Sequence, residues 1–199
     1  MKFIDFILGQ RASVIYSYYK LVNTAVVVNV GKALHDKGEK VCIVNGDNLS
    51  KNVDLEFPIQ CDETSTVLAY EIEDKALVPN RFFILTTFDR RLKFKNVTEI
   101  SVDKIGQNLY FASSEEGFRF RILNGNIVDA ELSSIENEVL SFLGEFGTST
   151  IKEICDVLSP RAKTSRDEIR QVLFRMKKMG MIRIEGNRVS IDNNGRLHG

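Results

Sequence analysis

Hydrophobic residues are spaced in two different ways along the chain, and the change comes near residue 130. Before it, apolar runs with the length of β-strands alternate with turn residues, most clearly at 12–16, 40–44 and 81–88. After it, apolar side chains recur every three or four residues, which is the spacing of one buried helix face. The pattern predicts the α/β fold class, with a sheet-and-helix domain at 1–130, a mainly helical domain at 131–192 and a flexible tail at 193–199.

The first domain is predicted to contain two helices and a meander besides its early strands. A helix over 23–37 ends at Lys37-Gly38, since a basic residue followed by glycine is a common helix end. A second helix over 65–77 is predicted from a capping Ser65 and from Pro79 beyond it, whereas residues 48–62 give no clear pattern. Turn residues separate three further predicted strands, at 97–105, 109–113 and 118–123.

The second domain is predicted to be three helices followed by a β-hairpin. Each helix has hydroxyl residues that can cap its start and a stop signal after its end. The helices are 134–146 before Gly147, a segment capped by 148–150 and stopped by Ser159-Pro160, and a segment capped by Thr164-Ser165 and ended by Gly180. Residues 181–185 and 188–191 then form the hairpin through a Gly-Asn turn.

Composition is that of a globular protein, with 43% hydrophobic residues and three widely spaced cysteines. The longest apolar stretch, 22–30, is too short to cross a bilayer, and the amino terminus lacks the features of a signal peptide. Because there is no C-x-x-C pair, Cys42, Cys61 and Cys155 are expected to be buried reduced thiols of a cytoplasmic protein. We expect no membrane partner.

Side chains that could perform catalysis are sparse. The chain has two histidines, and they lie far apart in the sequence, at His35 and His198. They form neither a metal-binding pair nor part of a catalytic triad, and nothing distinguishes a general acid from surface charge. We therefore predict no catalytic residue, no metal site and no cofactor.

Charge is balanced over the whole chain but concentrated locally. The formal net charge is zero, yet the segment from Arg161 to Arg188 contains nine basic residues and three acidic ones, a local charge of +6. A basic segment in a neutral protein favours a local contact with a polyanion over general adhesion.

The order of three helices and a hairpin over residues 133–191 resembles a winged helix-turn-helix domain. The resemblance implies that the third helix enters the DNA major groove and that the hairpin lies along the phosphate backbone. Cations would bind phosphate, and Arg170 or Gln171 would read base edges. The residues implied in duplex DNA binding are Lys163, Arg166, Arg170, Gln171, Lys177, Lys178, Arg183 and Arg188. Solvation of an exposed helix and docking of another protein are the alternative interpretations.

Residues 1–128 resemble the RecA/RadA family of recombinase ATPases and their KaiC-like relatives. A leader, a strand, a loop, a helix ending in Lys-Gly and a strand ending in an acidic residue follow the order of that family. The Walker pattern G-x-x-x-x-G-K-[ST] falls on residues 17–24, where Ser17, Val22 and Asn23 replace the two glycines and the lysine, and only Thr24 matches. Valine blocks close approach of phosphate to the backbone, and asparagine supplies no cation. The resemblance therefore implies a degenerate, truncated RecA-like core that hydrolyses no ATP.

In RecA-like proteins the loop after the strand that matches 82–88 contacts single-stranded DNA. Here this loop interleaves cations with Phe88 and Phe94, which are the physical ingredients of single-strand binding. The residues implied in this contact are Arg90, Arg91, Lys93 and Lys95. The alternative is a solvated turn with two core phenylalanines. Residues 47–79 look too short for a complete core, so a helix and the Walker B strand are expected to be missing.

These observations together predict a non-enzymatic DNA-binding protein that acts as an accessory factor in recombination, repair or replication. Its inactive RecA-like domain would serve assembly with a RecA-family ATPase, with another replication or repair protein, or with further copies of itself in a homo-oligomer. Its winged helix would contact duplex DNA. The expected location is the cytoplasm, on the nucleoid in a prokaryote. The alternatives are a transcription regulator whose first domain dimerises or senses a ligand, and an enzyme with an unrecognised site.

Overall fold

A mixed β-sheet organises the first of two compact units, Met1–Asp129 and Ala130–Gly199, in the computed structural model. The structure describes residues 1–50, 53, 58 and 60–192. Among these residues the sheet has eight strands in the order β2-β3-β4-β1-β5-β6-β7-β8. The strands are β1 Ser13–Tyr16, β2 Val41–Val44, β3 Thr66–Ala69, β4 Ile84–Thr87, β5 Thr98–Gly106, β6 Leu109–Ser113, β7 Gly117–Leu123 and β8 Asn126–Asp129. The predicted α/β class is confirmed.

Strand β1 is an interior strand of the parallel half of this sheet. It pairs in parallel with β4 on one side and with β5 on the other, and β3 and β2 continue the parallel pairing beyond β4. Every residue of β1 is buried, as expected where both faces of a parallel strand are covered. The next strand in the chain, β2, is therefore separated from β1 by β3 and β4.

The helices of this unit are α1 Phe3–Leu8, α2 Lys20–His35 and α3 Asp47–Ser50. The long helix α2 packs its valines into the main core, and Val22, Val26 and Val30 are completely buried. Valine disfavours a helix by a few tenths of a kcal/mol, whereas burying its side chain stabilises the fold by about 1.5 kcal/mol or more. Packing therefore outweighs propensity. The helix begins three residues earlier than the predicted start at residue 23.

The other half of the sheet is an antiparallel meander of β5, β6, β7 and β8. The predicted strands of this meander are confirmed within one residue at each end, but β8 was not predicted. It follows a tight turn in which Asn124 and Gly125 have φ values of 51° and 79°. Two successive residues with positive φ are typical of the type I′ turn that joins neighbouring antiparallel strands.

The first and last elements of this unit contact each other. The short apolar leader at 3–9 contains the helix α1, and its Phe3 ring stacks on Phe120 of β7 with ring centroids 4.8 Å apart. The backbone N–H of Phe3 donates a hydrogen bond to Oδ1 of Asp129 at 3.1 Å. The stacked aromatic pair thus joins the start of the unit to β7, and the hydrogen bond joins it to the last residue of the unit.

The predicted helix over 65–77 is wrong. Its first part is the buried strand β3, which pairs in parallel with β2 and β4, and its last part is a short 3₁₀ turn at Lys75–Leu77. The β-branched residues Thr66 and Val67 suit a strand, and pairing on both sides satisfies the backbone. A parallel strand is therefore present between residues 47 and 79. In the stretch 48–62, residues 51, 52, 54–57 and 59 lie outside the described residues.

The prediction of three reduced cysteines is wrong for two of them. Cys42 of β2 and Cys61 form a disulfide, with Sγ atoms 2.06 Å apart and Cα atoms 5.2 Å apart. Cys155 is a free, buried thiol as predicted, and burial raises its pKa. The pairing was missed because 18 residues separate Cys42 from Cys61 in the sequence, and no local motif marks them.

Residues 130–192 form three helices and a three-stranded antiparallel sheet of order β10-β11-β9. These elements are α4 Ser134–Phe146, β9 Ser149–Thr150, α5 Ile151–Ala162, α6 Arg166–Lys178, β10 Ile182–Glu185 and β11 Arg188–Ile191. The core holds the predicted apolar stripes, among them Val139, Ile154 and Leu173, each fully buried. The short strand β9, which pairs with β11, was not predicted.

Capping explains where these helices begin. Ser133 and Thr150 each form a capping box with a glutamate three residues on, and the Ser165 hydroxyl accepts the Glu168 N–H at 3.1 Å. The predicted stop at Ser159-Pro160 is wrong, because α5 continues to Ala162. Pro160 lacks the N–H that would donate to the Asp156 carbonyl, and only two helical residues follow it.

The predicted hairpin is confirmed, with β10 and β11 joined at Gly186, whose φ is +61°. The predicted flexible tail at 193–199, which includes His198, lies outside the described residues. No helix in the described part of the chain combines the length and apolar character that a bilayer crossing requires.

Candidate nucleic-acid interface

Helix α6 has two chemically distinct faces. Its buried side chains, Ile169, Val172, Leu173 and Met176, follow helical spacing and pack into the core of the second unit. Away from this stripe, the residues implied in DNA binding are exposed on the same helix: Arg166, Arg170, Gln171, Lys177 and Lys178. The helix therefore gathers five of the eight predicted residues on one continuous surface, which we call the outward face of α6.

Acidic neighbours neutralise part of this surface. Arg166 pairs with Asp156 of α5, and Arg170 pairs with Asp167 one turn earlier in α6, both at 2.8 Å. All four side chains are at least partly exposed, so each pair contributes at most about 1 kcal/mol. A polyanion could exchange such partners at low cost. Arg166 and Arg170 thus remain available to bind a polyanion, although each has an acidic partner within the second unit.

Arg175 is the exception among the basic residues of α6, because it points inward. Its Nε donates a hydrogen bond at 2.9 Å to Oε1 of Glu136, a carboxylate of α4 with no exposed surface. The other oxygen of Glu136, Oε2, accepts the backbone N–H of Ser133 at 2.7 Å. This ion pair joins α6 to α4. Arg175 therefore stabilises the fold and is not part of the outward face of α6.

The hairpin presents its arginines on its outer side. Arg183 lies opposite Ser190, and Glu185 lies opposite Arg188, so these four residues share the exposed face of the pair. Arg183 approaches Glu185 at 3.7 Å. Arg183 and Arg188 therefore point away from the core, as predicted. The remaining predicted residue, Lys163, is exposed in a left-handed conformation (φ 52°) between α5 and α6.

One exposed residue of α6 was overlooked in the sequence. Phe174 is 58% exposed and lies on the outward face, not in the buried stripe. Along a helix it neighbours Arg170, Gln171, Lys177 and Lys178, which are three or four residues away. The signal was present in the sequence, because Phe174 falls outside the apolar spacing that defines the stripe.

In the first unit, the counterpart of the Walker loop is closed by its own hydrogen bonds. The loop between β1 and α2 has only the three residues 17–19, and the last five positions of the Walker pattern are helical. Asn23, at the lysine position, is 1% exposed, and its Nδ2 donates at 3.3 Å to the Ser17 carbonyl and at 3.3 Å to Oε1 of Glu71. The amide therefore ties the start of α2 to the residues that follow β1 and β3.

The threonine that matches the Walker pattern is also engaged within the fold. The Thr24 hydroxyl lies 3.0 Å from the hydroxyl of Tyr70, a fully buried residue whose pKa is raised by its burial. Asn45, which follows β2, donates through Nδ2 to the Tyr70 carbonyl at 2.8 Å. Side chains from the carboxyl ends of β2 and β3 and from α2 thus fill the region where a phosphate loop would open.

The basic loop after β4 contains both a core and a surface aromatic. Phe94 packs edge-on against Phe82, with centroids 5.6 Å apart, whereas Phe88 is 40% exposed and lies beside the ring of Tyr18 at 6.4 Å. The side-chain hydrogen bond from Arg91 holds the pKa of Asp89 below its usual value.

The other cations of the loop differ in their surroundings. Lys93 lies over the Tyr16 ring, 5.9 Å from its centroid, while Arg90 and Lys95 are exposed. Of the two phenylalanines, Phe94 therefore packs against the core, as expected for a solvated turn with core aromatics. Phe88 lies on the surface, as expected for a residue that stacks on a base. Tyr18, 70% exposed, is the aromatic neighbour that the sequence did not predict.

The geometry and the sequence are the basis for assigning a role to these surfaces. Comparison with protein-family models, with curated proteins and with solved structures found no match to this chain.

Proposed function

We propose that this chain is a non-catalytic DNA-binding protein whose second unit is a winged helix-turn-helix module. The observation that carries the proposal is the outward face of α6, where cations and Gln171 surround a helix whose opposite side is core. Such a helix fits the major groove, and the outer arginines of the hairpin are suited to the phosphate backbone. Phosphate contacts supply affinity, and Gln171 and Arg170 can hydrogen-bond base edges.

Charge reversal tests this assignment. Reversing the neighbouring cations, Lys177→Glu with Lys178→Glu, places negative charge where phosphate would lie. We expect about a hundredfold weaker binding to a fluorescent duplex and a shallower dependence on salt. The matched control reverses two exposed lysines near the end of α2, Lys32→Glu with Lys37→Glu, at the same change in net charge. Equal weakening by both double variants would contradict a specific role for α6.

The first unit is proposed to be a degenerate RecA-like core without ATPase activity. The order of β1, loop, α2 and β2 supports the kinship, and the hydrogen bonds of Asn23 and Thr24 support the loss of phosphate binding. A nest of successive backbone N–H groups is needed to hold phosphate, and helix from Lys20 onward removes it. Restoring the motif with Ser17→Gly, Val22→Gly and Asn23→Lys should therefore not produce ATP turnover. Turnover by the natural chain would refute the proposal.

With no ATPase chemistry, the first unit would serve assembly in recombination, repair or replication. The partner is proposed to be a RecA-family ATPase, another repair or replication protein, or a second copy of the chain. A pull-down from native lysate, with and without nuclease, separates a protein partner from proteins bridged by DNA. Retention of an ATPase after nuclease treatment is the expected result.

A second contact, with single-stranded DNA, is favoured by the Tyr18–Phe88 pair. Two neighbouring exposed rings can stack bases, and Arg90, Arg91 and Lys93 can bind the backbone beside them. Removal of both rings, Tyr18→Ala with Phe88→Ala, should weaken binding of a single-stranded oligonucleotide by about tenfold or more. Leu77→Ala removes a similarly exposed apolar side chain and should change nothing.

A transcription regulator remains the second candidate function, because the outward face of α6 would serve it equally well. Sequence-specific footprints would favour the regulator, whereas preference for forks or single strands would favour the accessory factor. We propose a cytoplasmic location in either case. The Cys42–Cys61 disulfide fits that location best in a hyperthermophile, whose intracellular proteins retain disulfides.

A further inference from the structure

Phe174 stands at the centre of the outward face of α6. It is 58% exposed, although the same helix buries four other apolar side chains. Single exposed apolar residues are common and carry no meaning by themselves. The position of Phe174 is what distinguishes it, because its helix neighbours at three and four residues are Arg170, Gln171, Lys177 and Lys178.

This arrangement puts one apolar group inside a ring of polar donors. A surface made to bind phosphate alone would gain nothing from a phenylalanine at its middle, whereas the floor of the major groove is chemically mixed. Its hydrogen-bonding edges are accompanied by one apolar group, the C5-methyl of thymine. An aromatic ring flanked by cations complements that combination of methyl group, base edges and surrounding phosphates.

We propose that Phe174 reads thymine through its C5-methyl group when α6 lies in the major groove. The inference rests on the proposed binding of duplex DNA by the second unit. Lys177 and Lys178 would then hold the backbone, and Arg170 and Gln171 would contact base edges beside the methyl group. Phe174 adds preference for A·T pairs of one orientation, since the methyl group distinguishes T·A from A·T.

Replacing thymine by deoxyuridine tests this contact directly. The substitution removes only the C5-methyl group and leaves the phosphates and hydrogen-bonding groups of the duplex intact. Binding of an A·T-rich duplex is measured by fluorescence anisotropy for the natural chain and for Phe174→Ala. The natural chain should lose about fourfold in affinity on deoxyuridine, the worth of one buried methyl group. Phe174→Ala should bind both duplexes equally and about as weakly as the natural chain binds the deoxyuridine duplex.

Matched measurements separate this contact from other effects. Phe146→Ala removes a phenylalanine of similar exposure, 60%, at the end of α4, and it should retain the preference for thymine. Phe174→Ala should leave the salt dependence unchanged, because no phosphate contact is lost.

Two results would overturn the inference while leaving DNA binding intact. The natural chain could bind the thymine and deoxyuridine duplexes equally, or Phe174→Ala could keep the preference for thymine. Binding of neither duplex by the natural chain would overturn the proposed function and this inference together. A protein partner that loses affinity for Phe174→Ala, combined with indifference to deoxyuridine, would assign the ring to protein docking instead.

Discussion

Polar side chains at the start of α2 point into the first unit, whereas most polar side chains of α6 point out to solvent. In α2, the amide of Asn23 and the hydroxyl of Thr24 point into the unit and bond to Ser17, Glu71 and Tyr70. In α6, the polar residues point outward, around an exposed phenylalanine. The Nδ2 donor of Asn23 and the Thr24 hydroxyl are satisfied within the fold and have little left for a ligand, whereas Oδ1 of Asn23 is buried without a hydrogen-bond partner. The comparison indicates why a remnant of a phosphate motif can be structural while an ordinary amphipathic helix carries function.

The ion pair of Arg175 and Glu136 provides the strongest test of the distinction between inward and outward polar residues. Arg175 is the basic residue of α6 that points inward, and its partner Glu136 is buried in α4. Truncation by Glu136→Ala leaves the Arg175 guanidinium without its buried carboxylate and removes a capping interaction of Ser133. The free energy of unfolding of the second unit should fall by about 3–5 kcal/mol, measured by far-UV circular dichroism in denaturant. Glu145→Ala, an exposed site on the same helix, should change stability by less than about 0.5 kcal/mol.

The disulfide gives the next largest effect and separates the two units. All five tyrosines lie in residues 1–129 and there is no tryptophan, so tyrosine fluorescence reports unfolding of the first unit. Reduction of Cys42–Cys61 should lower the stability of that unit by about 3 kcal/mol, as loop-closure entropy predicts for a bridge across a 19-residue separation. Unfolding of the second unit, whose Cys155 is a free thiol, should not respond to reductant. Equal sensitivity of both units would contradict the assigned pairing.

A smaller effect is expected at high pH from Tyr16 at the end of β1. Burial, and then the negative charge of Glu99, raises the pKa of Tyr16 to about 12 from 10.0. The folded state therefore holds the phenolic proton more tightly than the unfolded chain does. Its contribution is complete below pH 10, decreases as the pH rises toward 12, and amounts to at most about 2.7 kcal/mol.

Unfolding in denaturant across this pH window should be less pH-dependent in Tyr16→Phe than in the natural chain. The variant should also be less stable at neutral pH, because the Tyr16 hydroxyl donates a hydrogen bond to the Leu92 carbonyl at 2.8 Å. Identical pH dependence in both chains would show that Tyr16 ionises normally.

The smallest expected change concerns Asn23 itself. Asn23→Ala removes the donor that joins Ser17 to Glu71 and should cost about 1–2 kcal/mol, followed by tyrosine fluorescence in denaturant. The control is Asn80→Ala, an exposed asparagine of the same unit, which should be nearly neutral. A stabilising Asn23→Ala would mean that the amide is retained for a ligand and not for the fold, and the contrast with α6 would disappear.

Local signals were sufficient for the helix starts and the hairpin of the second unit, but they missed β9 and the end of α5 there, and they were insufficient for part of the first unit. Helices α4 and α6 were predictable because their hydroxyl caps and their apolar spacing indicate the same helix, and the packing of the unit keeps that helix. Strand β3 was not, since its four residues resemble the start of a capped helix until pairing with β2 and β4 decides the outcome. Pro160 was overvalued as a stop, because α5 continues for two residues beyond it in spite of the hydrogen bond that a proline removes.

The candidate site shows the same division between local and tertiary information. Exposure of the predicted cations followed from helical spacing, whereas the partners of Arg166 and Arg175 lie on other helices and could not be read from α6 alone. The early start of α2 was also unpredictable, because of the three added residues only Val22 is buried, and its burial in the core acts against its low helix propensity.

The contact between Phe3 and Asp129 has a practical consequence for engineering the protein. The amino end of the first unit lies against the residue from which the chain leaves for the second unit. A tag fused before Met1 would therefore emerge close to Asp129. The same proximity makes the first unit suitable for circular permutation, because a short connection could join its natural ends and new termini could be opened in the turn at Asn124-Gly125.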